Sequence, residues 1–261
     1  MMKVNGIVKQ WRYPEASERG LTRSLQEFSR DLVVFAREKL SSMRFDASDA
    51  DINQAEHDLE SYAYELIATL SAGLPALALA IYKFNSKQFV SMAKSTGGKK
   101  IPYVIMLDSL GPLANEMWYQ EKSDQWMSLT DASFRKLAND IISDWSVNLR
   151  NLNLHNAKSK EVNELIEQRY KVYTGWSANR ARGIVSTWNS LLMRQRLDDA
   201  GVTHYFWHGK LDERERLQHL KWEGKRIEID SDHVFPGEPY GCRCWAVPDF
   251  TTVKEVNYNV T

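Results

Sequence analysis

The sequence predicts a mainly α-helical protein, in which a long helical N-terminal region is followed by a small α+β module at the C-terminus. Through most of the first 200 residues apolar side chains recur every three to four positions, which is typical of helices with one buried face. After Gly201 aromatic and β-branched residues alternate with polar ones, which is typical of strands. With 43% hydrophobic and 26% charged residues, the chain has the composition of a folded protein.

Residues 1–54 are predicted to form an extended arm and then one helix. The helix over 21–40 has a single apolar stripe, whose members are Leu21, Leu25, Phe28, Leu32, Phe35 and Leu40. A polar linker over 41–56 follows, and the next helical run is expected to begin near Ala55.

Residues 55–200 are predicted to be a helical region that opens with an uncharged segment. This segment, 66–82, is 17 residues long and lies at the short edge of a membrane span. Gly73 and Pro75 would break a helix near its middle. We therefore expect a buried helix–turn–helix that extends to about Met92, and no membrane contact.

The remainder of the helical region is predicted as a loop and three helices. The glycines and lysines of 95–102 indicate the loop, and Thr130 or Asp131 is the expected N-cap of the next helix. That helix should bury Phe134, Leu137, Ile141, Trp145 and Leu149. Further helices are expected over 161–173 and from Ser177, the latter burying Ala181, Ile184, Trp188 and Leu191 and ending at Gly201 in the left-handed conformation.

Residues 201–250 are predicted to form the small α+β module, and 251–261 a tail. The stretch 202–209 is an expected strand, and a short helical turn should follow it. Gly224 is placed at the bend before a second strand or hairpin, and 243–247 is expected to be a last short strand.

The overall charge argues against a protein built mainly to bind nucleic acid, because 34 Lys/Arg balance 34 Asp/Glu. Locally, residues 176–226 hold ten Lys/Arg against six Asp/Glu, a net charge of +4. A weak basic face is therefore predicted, and its candidate DNA-facing residues are Arg180, Arg182, Arg194 and Arg196. No signal-peptide pattern opens the chain, and two cysteines cannot make a disulfide framework, so folding in a reducing cytoplasm is expected.

The C-terminal module concentrates the residue types that bind metals. Both cysteines of the chain lie there, in the turn PGEPYGCRCWAVP, with four of the six histidines: His204, His208, His219 and His233. We predict His219, Cys242 and Cys244 as three ligands of a structural zinc ion, with His233 or Asp212 as the fourth. A module of this size gains from such a clip because it can bury little core. The alternative is that both cysteines are small buried hydrophobic residues.

Motifs of the common enzyme classes are absent from the sequence. It contains no G-x-S-x-G, no H-E-x-x-H, no phosphate-binding glycine loop and no zinc-deaminase signature. The charged run DERER over 212–216 is interpreted as an exposed turn with weak ion pairs. We therefore expect a protein that is not an enzyme and has no small-molecule substrate.

The C-terminal region resembles the phage Mu F-like minor head proteins, also called phage head morphogenesis proteins. The resemblance depends on YFWHGKLDERERLQHLKWEGKRI followed by FPGEPYGCRCWAVP, and is strong over about residues 177–248. The matching positions are Trp207, Asp212, Arg214, Arg216, His219, Gly224, Pro236, Gly237, Cys242, Arg243, Cys244 and Pro248. Where family members often have a polar pair after an Ala-Arg, this chain has Gly183 and Ile184.

The resemblance implies a structural virion protein that acts in head assembly. Its expected location is inside the head of a tailed bacteriophage near the portal, after synthesis in the bacterial cytoplasm. Its expected partners are the portal protein, the major capsid or scaffold protein, and packaged DNA. The motif residues would then be structural, with Arg214 and Arg216 paired to Asp212, Asp230 or Asp232. The alternatives are a metal-dependent hydrolytic module and a DNA-binding module of phage origin.

Overall fold

The computed structural model describes residues 11–42, 48–113, 116–151 and 159–253. The described residues are mainly helical and include one small antiparallel sheet near the C-terminus, which confirms the predicted fold class. In chain order the elements are α1 (Glu15–Ser42), α2 (Asp49–Ala72), α3 (Leu74–Ser95), α4 (Pro102–Leu110), α5 (Tyr119–Asn151), α6 (Ser159–Asp199), β1 (His204–His208), α7 (Leu217–Leu220), β2 (Arg226–Glu228) and β3 (Trp245–Pro248). Single 3₁₀ turns lie at Gly98–Lys100 and Phe250–Thr252.

The first helix is confirmed, and the second begins earlier than predicted. Ser48 caps α2 and forms a capping box with Asp51, so the helix begins at Asp49 instead of near Ala55. Part of the predicted linker, from Ser48 onward, therefore forms the N-cap and first turns of α2. Most of the predicted N-terminal arm, 1–10, and the linker residues 43–47 lie outside the described ranges.

The break predicted in the uncharged segment is confirmed, because α2 ends at Ala72 and α3 begins at Leu74. The segment is less buried than predicted. Within the described residues, Ala50–Ser95 is the one helical stretch long and apolar enough to cross a membrane, and its most apolar 18-residue window has mean hydropathy 1.6 and is 22% buried. Ala68 and Ala76 lie on its exposed side. Length and composition are weak evidence for a span, since core helices can share both.

Helices α4 and α5 differ from the prediction. The nine-residue α4 was not predicted; it begins with Pro102, whose missing N–H costs nothing at this position. Helix α5 begins at Tyr119, so the predicted N-cap at Thr130 or Asp131 is wrong. Asp131 instead accepts hydrogen bonds from the Ser71 hydroxyl at 2.6 Å and the Arg135 side chain at 2.7 Å.

The buried faces of the long helices agree with the prediction. On α5 the buried residues include Phe134, Leu137, Ile141 and Trp145, while the side chain of Leu149 is not described. The two helices predicted over 161–173 and from Ser177 form the single helix α6. Helix α6 buries Ala181, Ile184 and Trp188 and leaves Leu191 partly exposed. The left-handed Gly201 is confirmed, with φ +67°.

The chain forms two compact units, each assembled from separate segments. One unit comprises 1–17, 77–123 and 183–261, and the other comprises 18–76 and 124–182. The predicted boundaries at 54 and 200 do not coincide with these units. The sheet module of 201–250 shares its core with α3, α4 and the end of α6, so it does not have a core of its own.

The three strands are arranged in the order β2-β1-β3, and all neighbours are antiparallel. Tyr205 and Trp207 on the central strand are 1% and 0% exposed, and they belong to the core that also contains Cys242 and Cys244. Gly224, with φ +71°, lies in the connection to β2 and donates its N–H to the Trp207 carbonyl at 2.8 Å. The predicted strands, helical turn and Gly224 bend are therefore confirmed.

A charged cluster is buried in the same unit. Arg196 on α6 is 0% exposed and makes a bidentate ion pair with Glu116, with both N–O distances at 2.8 Å. Its third nitrogen donates to Asn85, and its guanidinium carbon lies 4.9 Å from the centre of the Tyr82 ring. Every charged group of this cluster thus has an opposite charge or a hydrogen-bond partner.

Candidate metal centre

The candidate centre is built on the short helix that follows the central strand. Helix α7 holds His219, which is 5% exposed. The ring of His219 stacks on Trp222 with centroids 5.3 Å apart and meets the edge of Trp207 at 5.2 Å. These two tryptophans fix the plane of the imidazole and exclude water from one side of it.

The two cysteines come from the glycine-rich turn before β3. Gly237 and Gly241 have φ values of +87° and +72°, which side chains other than glycine rarely adopt. The turn is fastened to α6 by a hydrogen bond of 2.8 Å from the Ser190 hydroxyl to the Pro236 carbonyl. Glycine at 237 and 241 therefore permits this turn, in which both thiols are buried and not bonded to each other.

His219, Cys242 and Cys244 are brought together as predicted. Nδ1 of the histidine lies 3.6 Å from Sγ of Cys242 and 3.3 Å from Sγ of Cys244. All three candidate ligand atoms lie within 4.8 Å of one another, and all three residues are buried. The cluster could hold a metal ion, and one imidazole with two thiols is a donor set that suits zinc.

Glu215 is a fourth polar group at this centre, and the sequence interpretation missed it. Its Oε1 lies 3.2 Å from Nδ1 of His219 and 3.2 Å from Sγ of Cys244. The side chain is 6% exposed, although the charged run around it was interpreted as an exposed turn. No local pattern in the sequence reveals it, because Glu215 lies in the turn before α7, which begins at Leu217.

Burial and neighbouring groups shift the protonation of the cluster. A side-chain interaction with Cys244, together with the backbone N–H groups of Cys244 and Gly237, lowers the pKa of Cys242 to about 7 despite burial. The same contact, together with burial and the Glu215 carboxylate, raises the pKa of Cys244. Burial lowers the pKa of His219, which keeps its imidazole neutral and able to bind a metal.

The other two predicted ligands lie outside the group of three. Oδ1 of Asp212 accepts from the Arg243 side chain at 2.8 Å and from the Arg214 backbone at 3.1 Å. His233 packs against Trp222 at 4.3 Å, and its Nδ1 lies 2.9 Å from the Val234 carbonyl. Both residues therefore make their contacts elsewhere in the C-terminal module.

The motif residue Arg216 also makes its contact within the C-terminal module. Arg216 donates to the Tyr240 carbonyl at 2.7 Å, so it does not form the expected pair with Asp212, which pairs with Arg243 instead. The Tyr240 ring packs on Gly183, where an added Cβ would lie 2.0 Å from a ring carbon. Glycine at 183 is thus explained by this close approach.

The predicted DNA-facing residues have different environments. Arg196 is fully buried against Glu116, so the prediction is wrong for this residue. The side chains of Arg180 and Arg182 are 15% and 22% exposed and pair with acidic side chains of their own unit. Arg194 is exposed, with its guanidinium over Phe235.

Comparisons with known proteins give little guidance. No protein-family profile matches the chain, and no solved structure matches it. An uncharacterized protein of Haemophilus influenzae strain Rd is 36% identical over 84 residues. The match covers 30% of this chain and 18% of that protein, so the chain spans only a small part of its relative's length.

Proposed function

We propose that the protein is a structural minor head protein of a tailed bacteriophage, whose C-terminal module is held closed by one zinc ion. The observation that carries this proposal is the ordered set of motif residues from Trp207 to Pro248, which resembles the Mu F-like minor head proteins. Three of these residues, His219, Cys242 and Cys244, form the buried cluster, and Trp207 packs against His219.

The roles of the motif residues support a structural interpretation. Trp207 fills the core, Gly224 and Gly237 permit left-handed turns, and Pro236 fastens the cysteine turn to α6. Each of these roles shapes the backbone or the core. A catalytic motif would instead direct polar groups toward an accessible pocket.

Zinc suits the cluster and the module around it. Thiolate and imidazole ligands select zinc over magnesium or calcium, which prefer oxygen. The strands of the sheet have only five, three and four residues, so the sheet gives little stability by itself. A bound ion would tie α7 to the turn before β3 and add its binding free energy to folding.

The proposed location is inside the head near the portal, and the proposed partners are the portal protein and the major capsid or scaffold protein. Contact with packaged DNA is a secondary part of the proposal, to which exposed Arg194 would contribute. Such contact would weaken steeply as salt concentration rises, because phosphate binding releases counterions.

The alternative function is a metal-dependent hydrolytic module acting on nucleic acid. It requires an open coordination position that a substrate or water can reach. His219 and Cys242 are each 5% exposed and Cys244 is 4% exposed, so the candidate ligands are closed to solvent. This burial favours the structural role.

The proposal is tested in the phage or prophage that encodes the chain. We expect a portal gene directly upstream, and we expect the protein to sediment with purified heads at low copy number. Deletion of its gene should reduce the yield of DNA-filled heads, and the intact gene supplied in trans should restore it. A protein absent from heads, together with normal head yield after deletion, would overturn the proposal.

A further inference from the structure

We propose that Glu215 Oε1 is the fourth ligand, so that the ion is held by one histidine, two cysteines and one glutamate. This inference rests on the metal-binding part of the proposed function. It replaces His233 and Asp212, the ligands expected from the sequence. It also decides whether the centre is closed or open.

The distances around the centre are those of atoms that share one ion. In a tetrahedral zinc site with bonds of about 2.0–2.3 Å, neighbouring ligand atoms are about 3.3–3.8 Å apart. Glu215 Oε1 lies 3.2 Å from Nδ1 of His219 and from Sγ of Cys244, and Nδ1 lies 3.3 and 3.6 Å from the two sulfur atoms. These four separations match the tetrahedral edges to within a few tenths of an ångström.

Hydrogen bonding does not account for all three close approaches to Nδ1 of His219. Nδ1 of an imidazole carries either one hydrogen or one lone pair, so it can make one good hydrogen bond. Three polar atoms nevertheless approach it, namely Oε1 of Glu215 and Sγ of Cys242 and Cys244. A cation at their common centre would interact with all four atoms at once.

The backbone holds the Glu215 carboxylate in position. Oε2 accepts from the Lys210 N–H at 3.1 Å, while Oε1 contacts the cluster. A Cβ added to Gly209 would lie 3.0 Å from Oε2, so the absence of a side chain at 209 makes room for the carboxylate. Glu215 is therefore oriented before any ion binds.

The charge of the cluster also favours a cation. In the described part of the chain, the Glu215 carboxylate contacts the neutral imidazole of His219 and pairs with no lysine or arginine. A buried carboxylate beside two thiols is costly unless a positive charge compensates it. A divalent ion supplies that charge and stabilises the thiolate forms. Four protein ligands leave no open position, which makes the centre structural.

The test measures metal affinity in the full-length protein by competition with a chromophoric chelator. Glu215→Gln keeps the size of the side chain and removes its charge, and Glu213→Gln is the matched control, because Glu213 is an exposed carboxylate two residues away. We expect the Zn²⁺ dissociation constant to rise by about 10- to 100-fold or more in Glu215→Gln, since even loss of an outer-shell partner has that effect. The control should bind as the wild type does.

Cobalt substitution provides a second readout. The visible bands of Co²⁺ report a four-coordinate site, and Glu215→Gln should change them while Glu213→Gln should not. Unchanged affinity and an unchanged spectrum in Glu215→Gln would overturn Glu215 as a ligand and leave the zinc centre intact. Wild-type protein that binds neither ion would overturn the zinc centre itself, and this inference with it.

If Glu215→Gln does not fold, the zinc-loaded wild type decides the question. Its crystal structure should show Oε1 of Glu215 bound to the ion at about 2.0–2.2 Å. A water molecule in that position would overturn the proposal.

Discussion

Two buried polar clusters in the same compact unit differ in how their charges are balanced. Arg196 brings a positive charge that Glu116 neutralises through two hydrogen bonds of 2.8 Å. The cluster of His219, Cys242, Cys244 and Glu215 contains one carboxylate and two thiols. No lysine or arginine among the described residues pairs with the carboxylate. The first cluster contains its own positive charge, whereas among the described residues no lysine or arginine neutralises the second. The first cluster is neutralised within the chain, and the second could hold a metal ion.

Metal removal is the largest effect expected from this difference. A ligand that binds only the folded state stabilises it by about 4 kcal/mol when its free concentration is about 1,000 times the dissociation constant. We therefore expect a strong chelator to lower the melting temperature of the wild type. Thermal melts with and without chelator, followed by tryptophan fluorescence, measure the shift. A Cys242→Ser, Cys244→Ser variant should already melt lower and should not respond to chelator; a wild type that does not respond would contradict the prediction.

Breaking the cluster of Arg196 and Glu116 should lower the free energy of unfolding by about as much as metal removal does. This loss should not depend on metal. Arg196→Met leaves the Glu116 carboxylate buried and uncompensated, for which we expect a loss of about 3–5 kcal/mol in urea unfolding. Arg194→Met is the control, because Arg194 is exposed on the same helix and should change stability by less than about 0.5 kcal/mol.

Adding Glu116→Leu to Arg196→Met should restore part of the lost stability, since both charges are then removed together. An Arg196→Met protein as stable as the wild type would show that the buried pair contributes nothing. One that lost its metal would show that the two clusters are coupled.

A substitution in the cysteine turn should have a smaller effect on stability. Gly237→Ala places a side chain at φ +87° and a Cβ 2.9 Å from Cβ of Ser190, which should destabilise the protein by about 1–3 kcal/mol. Gly175→Ala is the control, because no neighbouring atom lies within 4 Å of an added Cβ in the interior of α6. This control should be stabilising by about 0.5–1 kcal/mol. Urea unfolding of both variants checks the prediction, and equal effects would contradict the strain assigned to Gly237.

The smallest effect expected is a dependence on pH in the metal-free protein. Burial lowers the pKa of His219 in the folded state, so the unfolded chain binds a proton more readily at this residue. The stability that His219 contributes is therefore present above its unfolded pKa of about 6.5 and is lost as pH falls below that value. Unfolding of the wild type and His219→Gln between pH 5 and 8, chosen as the range over which histidine titrates, should show a weaker dependence in the variant. Identical curves would contradict the assignment.

The sequence predicted the elements whose patterns are local. The apolar stripe of α1 from Leu21 to Leu32, the buried face of α5 and the strand around Trp207 all follow from periodicity, and the structure confirms them. The association of His219 with Cys242 and Cys244 was also predicted, because few other residues in the chain can bind a soft metal.

The predictions that failed depended on tertiary contacts. Arg196 was predicted to face DNA, but it lies beside the buried Leu197 on α6 and pairs with Glu116 from a distant segment. Asp131 is a residue type that often caps helices. It lies within the longer helix α5, however, and its carboxylate accepts a hydrogen bond from Ser71. Glu215 is indistinguishable from its charged neighbours until the turn places it against the cysteines.

The decisive measurement is the zinc content of the purified full-length protein, made without a histidine tag, with Cys242→Ser, Cys244→Ser as its control. We predict about one zinc ion per chain in the wild type and none in the variant, measured by native mass spectrometry and elemental analysis. A wild type without metal, or equal metal in both proteins, would show that the two cysteines only pack the core.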